Sequence, residues 1–184
     1  MSGKPASVAF DPRQAVRFDL RKGSASDARG ARLLLVPSAA LEALGEEAVS
    51  SLGTEIGRAC GARAAAKLGG GEGVRGASLE TVVSHLAGEL AVSGAFVLHV
   101  EQWGRAMVAV VSNPAVEQPA FVAAVLAGAL GAASGRDIAA TPIGEGAEAR
   151  YFIGSPKTVE RIAELTRSGK THAEILADLQ GSAS

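Results

Sequence analysis

An excess of charge of either sign, a second cysteine and a long apolar run are all missing from this chain. Its 184 residues carry 18 Lys and Arg against 19 Asp and Glu, a formal net charge of -1. A balance this close supplies no field to draw the chain to nucleic acid or to an anionic membrane surface. The lone cysteine, Cys60, excludes an internal disulfide and suits a reducing compartment, so a cytoplasmic location is expected. The opening residues, MSGKPASVAFDPRQ, hold no apolar stretch of signal-peptide length. Charges, Gly or Pro interrupt every apolar segment before it reaches the length of a membrane span, which predicts no membrane insertion. Aromatic residues make up only 4%, so the core must be built from Ala, Val, Leu and Ile.

What is present describes a folded domain. Hydrophobic residues make up 47% and charged residues 20%, outside the range of bulk disorder. The length fits one domain with its own core. The organisation expected is a polar leader over 1–15, an α+β domain over 16–155 and a helical extension over 156–184.

Alternating residues predict strands at 16–20 and 32–36, joined by a long turn through KGSASDARGA. Ser38 is placed to cap a short helix, and a longer helix is expected over 46–68. GGGEGVRGA then reads as a flexible linker. Ser78 is placed to cap the helix LETVVSHLAGELAVS, with Glu80 in its first turn. A hairpin follows, with strands at 95–102 and 106–112 around Trp103 and Gly104, closed by Asn113-Pro114. The stretch 118–133 is apolar nearly all round and predicts a buried helix with Gly135 as its C-terminal cap. A second hairpin runs from DIAATPI to EARYFIG. Ser155-Pro156 opens a helix over 157–167, and Thr171 with Glu174 forms a capping box for a last one. Strands and helices in this order indicate α+β rather than parallel α/β.

In the first long helix, Gly53, Gly57 and Gly61 recur every fourth residue. Glycine inside a helix costs about 1 kcal/mol relative to alanine. A chain that keeps three of them in one stripe needs close approach along it. Two uses fit: packing against another helix of the same chain, or a dimer seam.

Taken together these segments resemble a known superfamily. SLGTEIGRACGARAAAKLG is similar to the first long helix of TRAPP vesicle-tethering subunits and of bacterial 4-vinyl-reductase-like domains. VAVVSNPAV resembles the TRAPP strand and Asn-Pro turn, AFVAAVLAGALGAASGRDIAAT the buried helix that follows in both, and EGAEARYFIGS the closing hairpin. The resemblance spans 31–155 and implies an antiparallel sheet with helices packed on one side, dimerisation through helices, and an apolar cavity. Ligand-sensing relatives hold zinc with two cysteines around a glycine of the closing hairpin. The matching positions here are Pro142 and Arg150 around Gly146, and neither supplies a thiolate, so no metal site is expected. The loop in which some TRAPP subunits carry an acylated cysteine matches 69–76, which has none.

The residues nominate no catalytic site. Ser84 and His85 adjoin in sequence, but helix neighbours point about 100° apart, so adjacency builds no pair. His85, His99 and His172 lie on separate elements, and the chain has no G-x-S-x-G. The Gly-rich stretch at 69 lacks the Lys-Ser/Thr ending of a phosphate loop. Cys60 on a Gly/Ala-rich helix reads as a small buried hydrophobe. The C-terminal helix pair is similar to part of a helix-turn-helix, but its second helix carries Glu174 and Asp178 and no Lys or Arg, against DNA binding.

The function expected is a homodimeric, non-enzymatic module that binds or senses a small apolar ligand, without a cofactor. Ile56, Leu86, Leu90, Phe121, Val125 and Phe152 are the expected cavity residues, and Gly53, Gly57 and Gly61 the candidate dimer seam. The alternative is a scaffold or regulator binding another protein such as a small GTPase. For that role Trp103 and Arg105 at the hairpin tip are the candidate contacts, with a structural use in the turn left open.

Overall fold

The computed structural model describes residues 10–104, 106–143, 149–171, 174 and 175. The fold is α+β, with two antiparallel sheets and helices packed against them. A 3-10 turn at Pro12–Gln14 leads into a three-stranded ribbon of β1 (Val16–Asp19), β2 (Ser24–Asp27) and β3 (Arg32–Leu33). Part of the stretch expected as a long turn is therefore β2. Asp27 organises its far end, with Oδ1 accepting from the backbone N–H groups of Arg29 and Ala31, both at 2.9 Å. The expected second strand shrinks to two residues because Leu34, Leu35 and Val36 run on as exposed chain.

Helices α1 (Ser38–Glu42), α2 (Glu46–Lys67), α3 (Gly70–Gly76) and α4 (Leu79–Val92) follow. Ser38 is the first helical residue of α1 rather than its side-chain cap; Pro37 takes the cap position. The expected linker at 69–77 is largely α3, entered through Gly69 at a left-handed φ of 91°. Ser78 caps α4 as its sequence predicts, accepting from Thr81 N–H.

The second sheet has the order β4–β5–β7–β6: β4 (Val97–Trp103), β5 (Ala106–Ser112), β6 (Ala139–Pro142) and β7 (Ala149–Gly154). Between its hairpins runs α5 (Pro119–Ser134), closed by Gly135 at φ 68°. Asn113, at φ 51°, turns the chain out of β5 as the Asn-Pro pair predicts. After the sheet comes α6 (Pro156–Arg167), capped by Ser155. The expected capping box forms: Glu174 Oε2 accepts from Thr171 N–H at 2.8 Å, and Thr171 Oγ1 accepts from Glu174 N–H at 3.4 Å.

Period-two alternation splits the sheet's side chains between two cores. Leu98, Ala109, Val111, Tyr151 and Ile153 face α2, α4 and α5. Val108 and Phe152, paired across β5 and β7, face the other way, onto Val159 and Ile162 of α6.

The glycine stripe has one use within the fold. A Cβ on Gly53 would meet the Phe121 carbonyl oxygen at 2.9 Å, and one on Gly57 or Gly61 would overlap the carbonyl of Val125 or Ala129. Gly128 of α5 returns the contact, pressed on the α2 backbone at Thr54. Gly53, Gly57 and Gly61 are therefore buried under α5 of their own chain. This corrects the dimer-seam reading of the stripe: no face of it is left for a second copy.

Candidate functional site

The last two turns of α2 and the middle of α4 hold ionised side chains inside an otherwise apolar layer. Glu89 is 1% exposed, and its two carboxylate oxygens face two cations of α2. Arg63 Nε donates to Oε2 at 2.7 Å, and Lys67 Nζ lies 2.7 Å from Oε1. The Arg63 side chain is 11% exposed and that of Lys67 24%. A carboxylate this deep requires such partners, since an unpaired buried charge is far costlier than a paired one. Burial pulls the Arg63 guanidinium down, but the Glu89 hydrogen bond and the surrounding acidic groups outweigh it and raise it above its ordinary range.

Cys60 completes the α2 side of the cluster. Its Sγ accepts from Arg63 Nη2 at 3.3 Å and lies 3.6 Å from Ser93 Oγ. Burial pushes the thiol above its ordinary value, against the opposing pull of Arg63. Cys60 is thus the small buried residue its helix predicts, with a polar neighbour that its sequence context does not reveal.

Phe10 sits over the cluster. The Lys67 ammonium lies 4.2 Å from its ring centroid. The buried His85 ring meets it edge-on, with centroids 6.2 Å apart and planes at 81°. Beneath it is Gly88, where any Cβ would run into the ring. Ser84 is exposed while His85 is buried, so the two do not form a pair.

Of the expected cavity residues, Leu86, Leu90, Phe121 and Val125 are fully buried in one cluster, and Ile56 packs against it. Phe152 is not with them. It lies on the opposite face of the sheet, because β7 turns residue 152 away from 151 and 153. Trp103 is half-buried against the α6 core, and its Nε1–H donates to Glu101 Oε2 at 2.8 Å. It serves the second face of the sheet rather than standing clear at the hairpin tip. Arg105, Gly146 and His172 lie outside the described residues.

Arg150, at a position where the resemblance puts a zinc-holding cysteine, instead pairs across the sheet with Glu101, Nη2 to Oε1 at 3.2 Å. The Arg150 hydrogen bond lowers the Glu101 carboxyl below its ordinary range. Among the described residues, no three or more His, Cys, Asp or Glu side chains gather as a metal ion would need. None of the described helices is long and apolar enough to cross a membrane.

No protein-family model matches the chain, and no curated protein matches it by sequence. Among solved structures the fold is similar to the phenol-responsive sensory domain of the transcription activator PoxR, crystallised with phenol. The TM-score is 0.61 at 17% identity, over 84% of this chain and 92% of that one. At that identity the likeness establishes the shared fold and its near-complete extent.

Proposed function

We propose that the chain is a non-enzymatic module that binds and senses a small, largely apolar molecule in the layer formed by α2, α4, α5 and the sheet. The observation that carries the reading is the Arg63–Glu89–Lys67 network beside Phe10 and His85. A few fixed polar groups set in an apolar surround are what orient a small apolar ligand. Ile56, Leu86, Leu90, Phe121 and Val125 supply the apolar part. The likeness to a phenol-responsive sensory domain supports this assignment, since phenol is a ligand of that character. Native mass spectrometry of the freshly purified protein tests it. The expected result is a retained ligand, or one acquired from a panel of aromatic and lipid compounds. A bare mass throughout overturns the proposal.

A second reading, a scaffold that binds another protein or a second copy of this chain, is favoured by one observation. Phe18, Leu20, Leu34 and Leu35 of the first sheet and its exit are 61–90% exposed. Apolar side chains clustered in this way mark interaction surfaces. Since α5 covers the glycine stripe, a homodimer would use this ribbon instead. Sedimentation of wild type against Leu34→Ser, Leu35→Ser decides the dimer: loss of a dimer in the variant supports it, and a monomeric wild type removes it.

A further inference from the structure

The Phe10 ring occupies a place that looks built for a ring rather than for this residue. Phe10 belongs to neither hydrophobic core. It is half-buried, and the 3-10 turn that follows it, Pro12–Gln14, buries none of its own side chains. The place it fills is nevertheless shaped by three separate residues. Gly88 provides the floor by having no side chain. His85 provides a wall at right angles to the ring. Lys67 provides a cation over the ring face, 4.2 Å from its centroid. An ammonium placed there attracts electron-rich π systems, and the edge-to-face wall is a favoured aromatic geometry. The Glu89 carboxylate, 2.7 Å from Nζ, holds the ammonium in place.

We infer that this slot is the receptor for a free single-ring aromatic compound bearing a hydroxyl group, and that Phe10 is a built-in occupant which that compound displaces. The inference rests on the ligand-binding reading above and adds to it the ligand class and an internal competitor. The hydroxyl makes the ring electron-rich beneath Lys67, so a phenolic ring is held there more strongly than the phenyl ring of Phe10. The turn at Pro12–Gln14 that follows Phe10 is exposed, and exposed turns open locally at low cost. While Phe10 is seated, the apparent affinity for a free ring is reduced by the fraction of chains in which the slot is vacant. Ring binding then reports outward by releasing residue 10 and the turn after it from α4.

Titration calorimetry of the full chain with phenol, and with cyclohexanol as a saturated control, tests this. Phe10→Ala is expected to bind phenol about tenfold more tightly than wild type, as removal of an occupant present in roughly nine chains of ten requires. Phe10→Leu, an apolar plug without a π face, is expected in between and guards against loss of fold in the alanine variant. Gly88→Ala, combined with Phe10→Ala, raises the floor and is expected to return the affinity to wild type or weaker. Cyclohexanol is expected to bind Phe10→Ala at least tenfold more weakly than phenol. If wild type binds phenol and neither Phe10 variant nor Gly88→Ala changes the affinity by more than twofold, the slot assignment is overturned and the ligand-binding reading stands. If wild type binds another panel compound while no variant binds phenol, the ligand class and the slot fall together. If neither wild type nor any variant binds a small molecule, both readings fall.

Discussion

Glu89 of α4 and Arg63 of α2 meet side chain to side chain at 2.7 Å, with the carboxylate almost wholly buried. The pair, with Lys67 on the other carboxylate oxygen, joins two helices that otherwise meet through apolar side chains and the Cys60 thiol. Removing one member leaves the others charged and uncompensated. Glu89→Gln keeps the shape, removes the charge and sets Arg63 and Lys67 against one another. It is expected to lower the unfolding free energy by about 3 kcal/mol. Lys67→Met, at the more open end, is expected to lose about 1 kcal/mol. Urea unfolding measures both, and an equal loss in the two variants would contradict the burial gradient.

The α2–α5 contact predicts a reversal of the ordinary glycine rule. In an exposed helix, Gly→Ala is worth about 1 kcal/mol of added stability. At Gly57 the new methyl would fall on the Val125 carbonyl and 2.9 Å from Ala129 N, backbone atoms that cannot turn aside. Gly57→Ala is therefore expected to destabilise by roughly 3 kcal/mol or more, with overpacking forcing the helices apart. Gly76→Ala, where a Cβ meets nothing within 4 Å, is the control and is expected to be neutral or mildly stabilising. Thermal unfolding of the two variants provides the comparison.

Tyr151 is the chain's only tyrosine, and its ring lies in the main core under the helices. Burial pushes its hydroxyl from 10.0 up to about 12. The folded protein therefore holds the neutral phenol where the unfolded chain would already be ionised. The stability this represents is intact below pH 10 and is lost as pH rises from 10 towards 12, by roughly 3 kcal/mol. Tyrosinate absorbance followed against pH reads this one residue directly. The expected curve rises late and together with unfolding, and Tyr151→Phe is expected to flatten the alkaline fall in stability. Ionisation near pH 10 in the folded protein would contradict the assignment.

Cys60 is expected to resist thiol reagents in the native state at pH 8. It is 1% exposed, and burial holds the thiol protonated despite Arg63 beside it. Nucleophilic attack requires the thiolate. Labelling is expected to be slow and to accelerate sharply in denaturant. Rapid stoichiometric labelling of the folded protein would show that α2 and α4 separate readily.

Much of the fold is visible in the residues. The hairpins around Gly104 and before Gly154, the caps at Ser78 and Ser155, and the αL cap at Gly135 follow from local chemistry that the tertiary structure does not override. The three glycines of α2 announce a close approach but not its partner, because a fourfold stripe fits a helix of the same chain or of another equally well. Gly128 on α5 carries the matching signal. Helix α3 escapes detection because glycine-rich GGEGVRG has poor intrinsic helix propensity. The β2 strand escapes because Ser, Ala, Ser and Asp are weak strand formers held there by pairing on both sides.

The candidate site was only half legible. Leu86 and Leu90 follow from the apolar periodicity of α4. Glu89 sits between them on the same face, three residues after Leu86, and an acidic residue at that position is a signal for a buried partner. Arg63 and Lys67 answer it at a spacing of four on α2. Their meeting is a long-range fact of helix packing that neither helix pattern states alone. Phe152 falls in the α6 core rather than the main one, since alternation along a strand identifies which residues share a face but not which face the main core lies against.

The central claim, that this fold holds a small ring compound beside the Arg63–Glu89–Lys67 network, is tested most directly by calorimetric titration of wild type with a panel of phenols at several temperatures. The prediction is saturable binding of one molecule per chain with a negative heat-capacity change, the mark of apolar surface leaving water. No saturable heat from any compound at any temperature would contradict it.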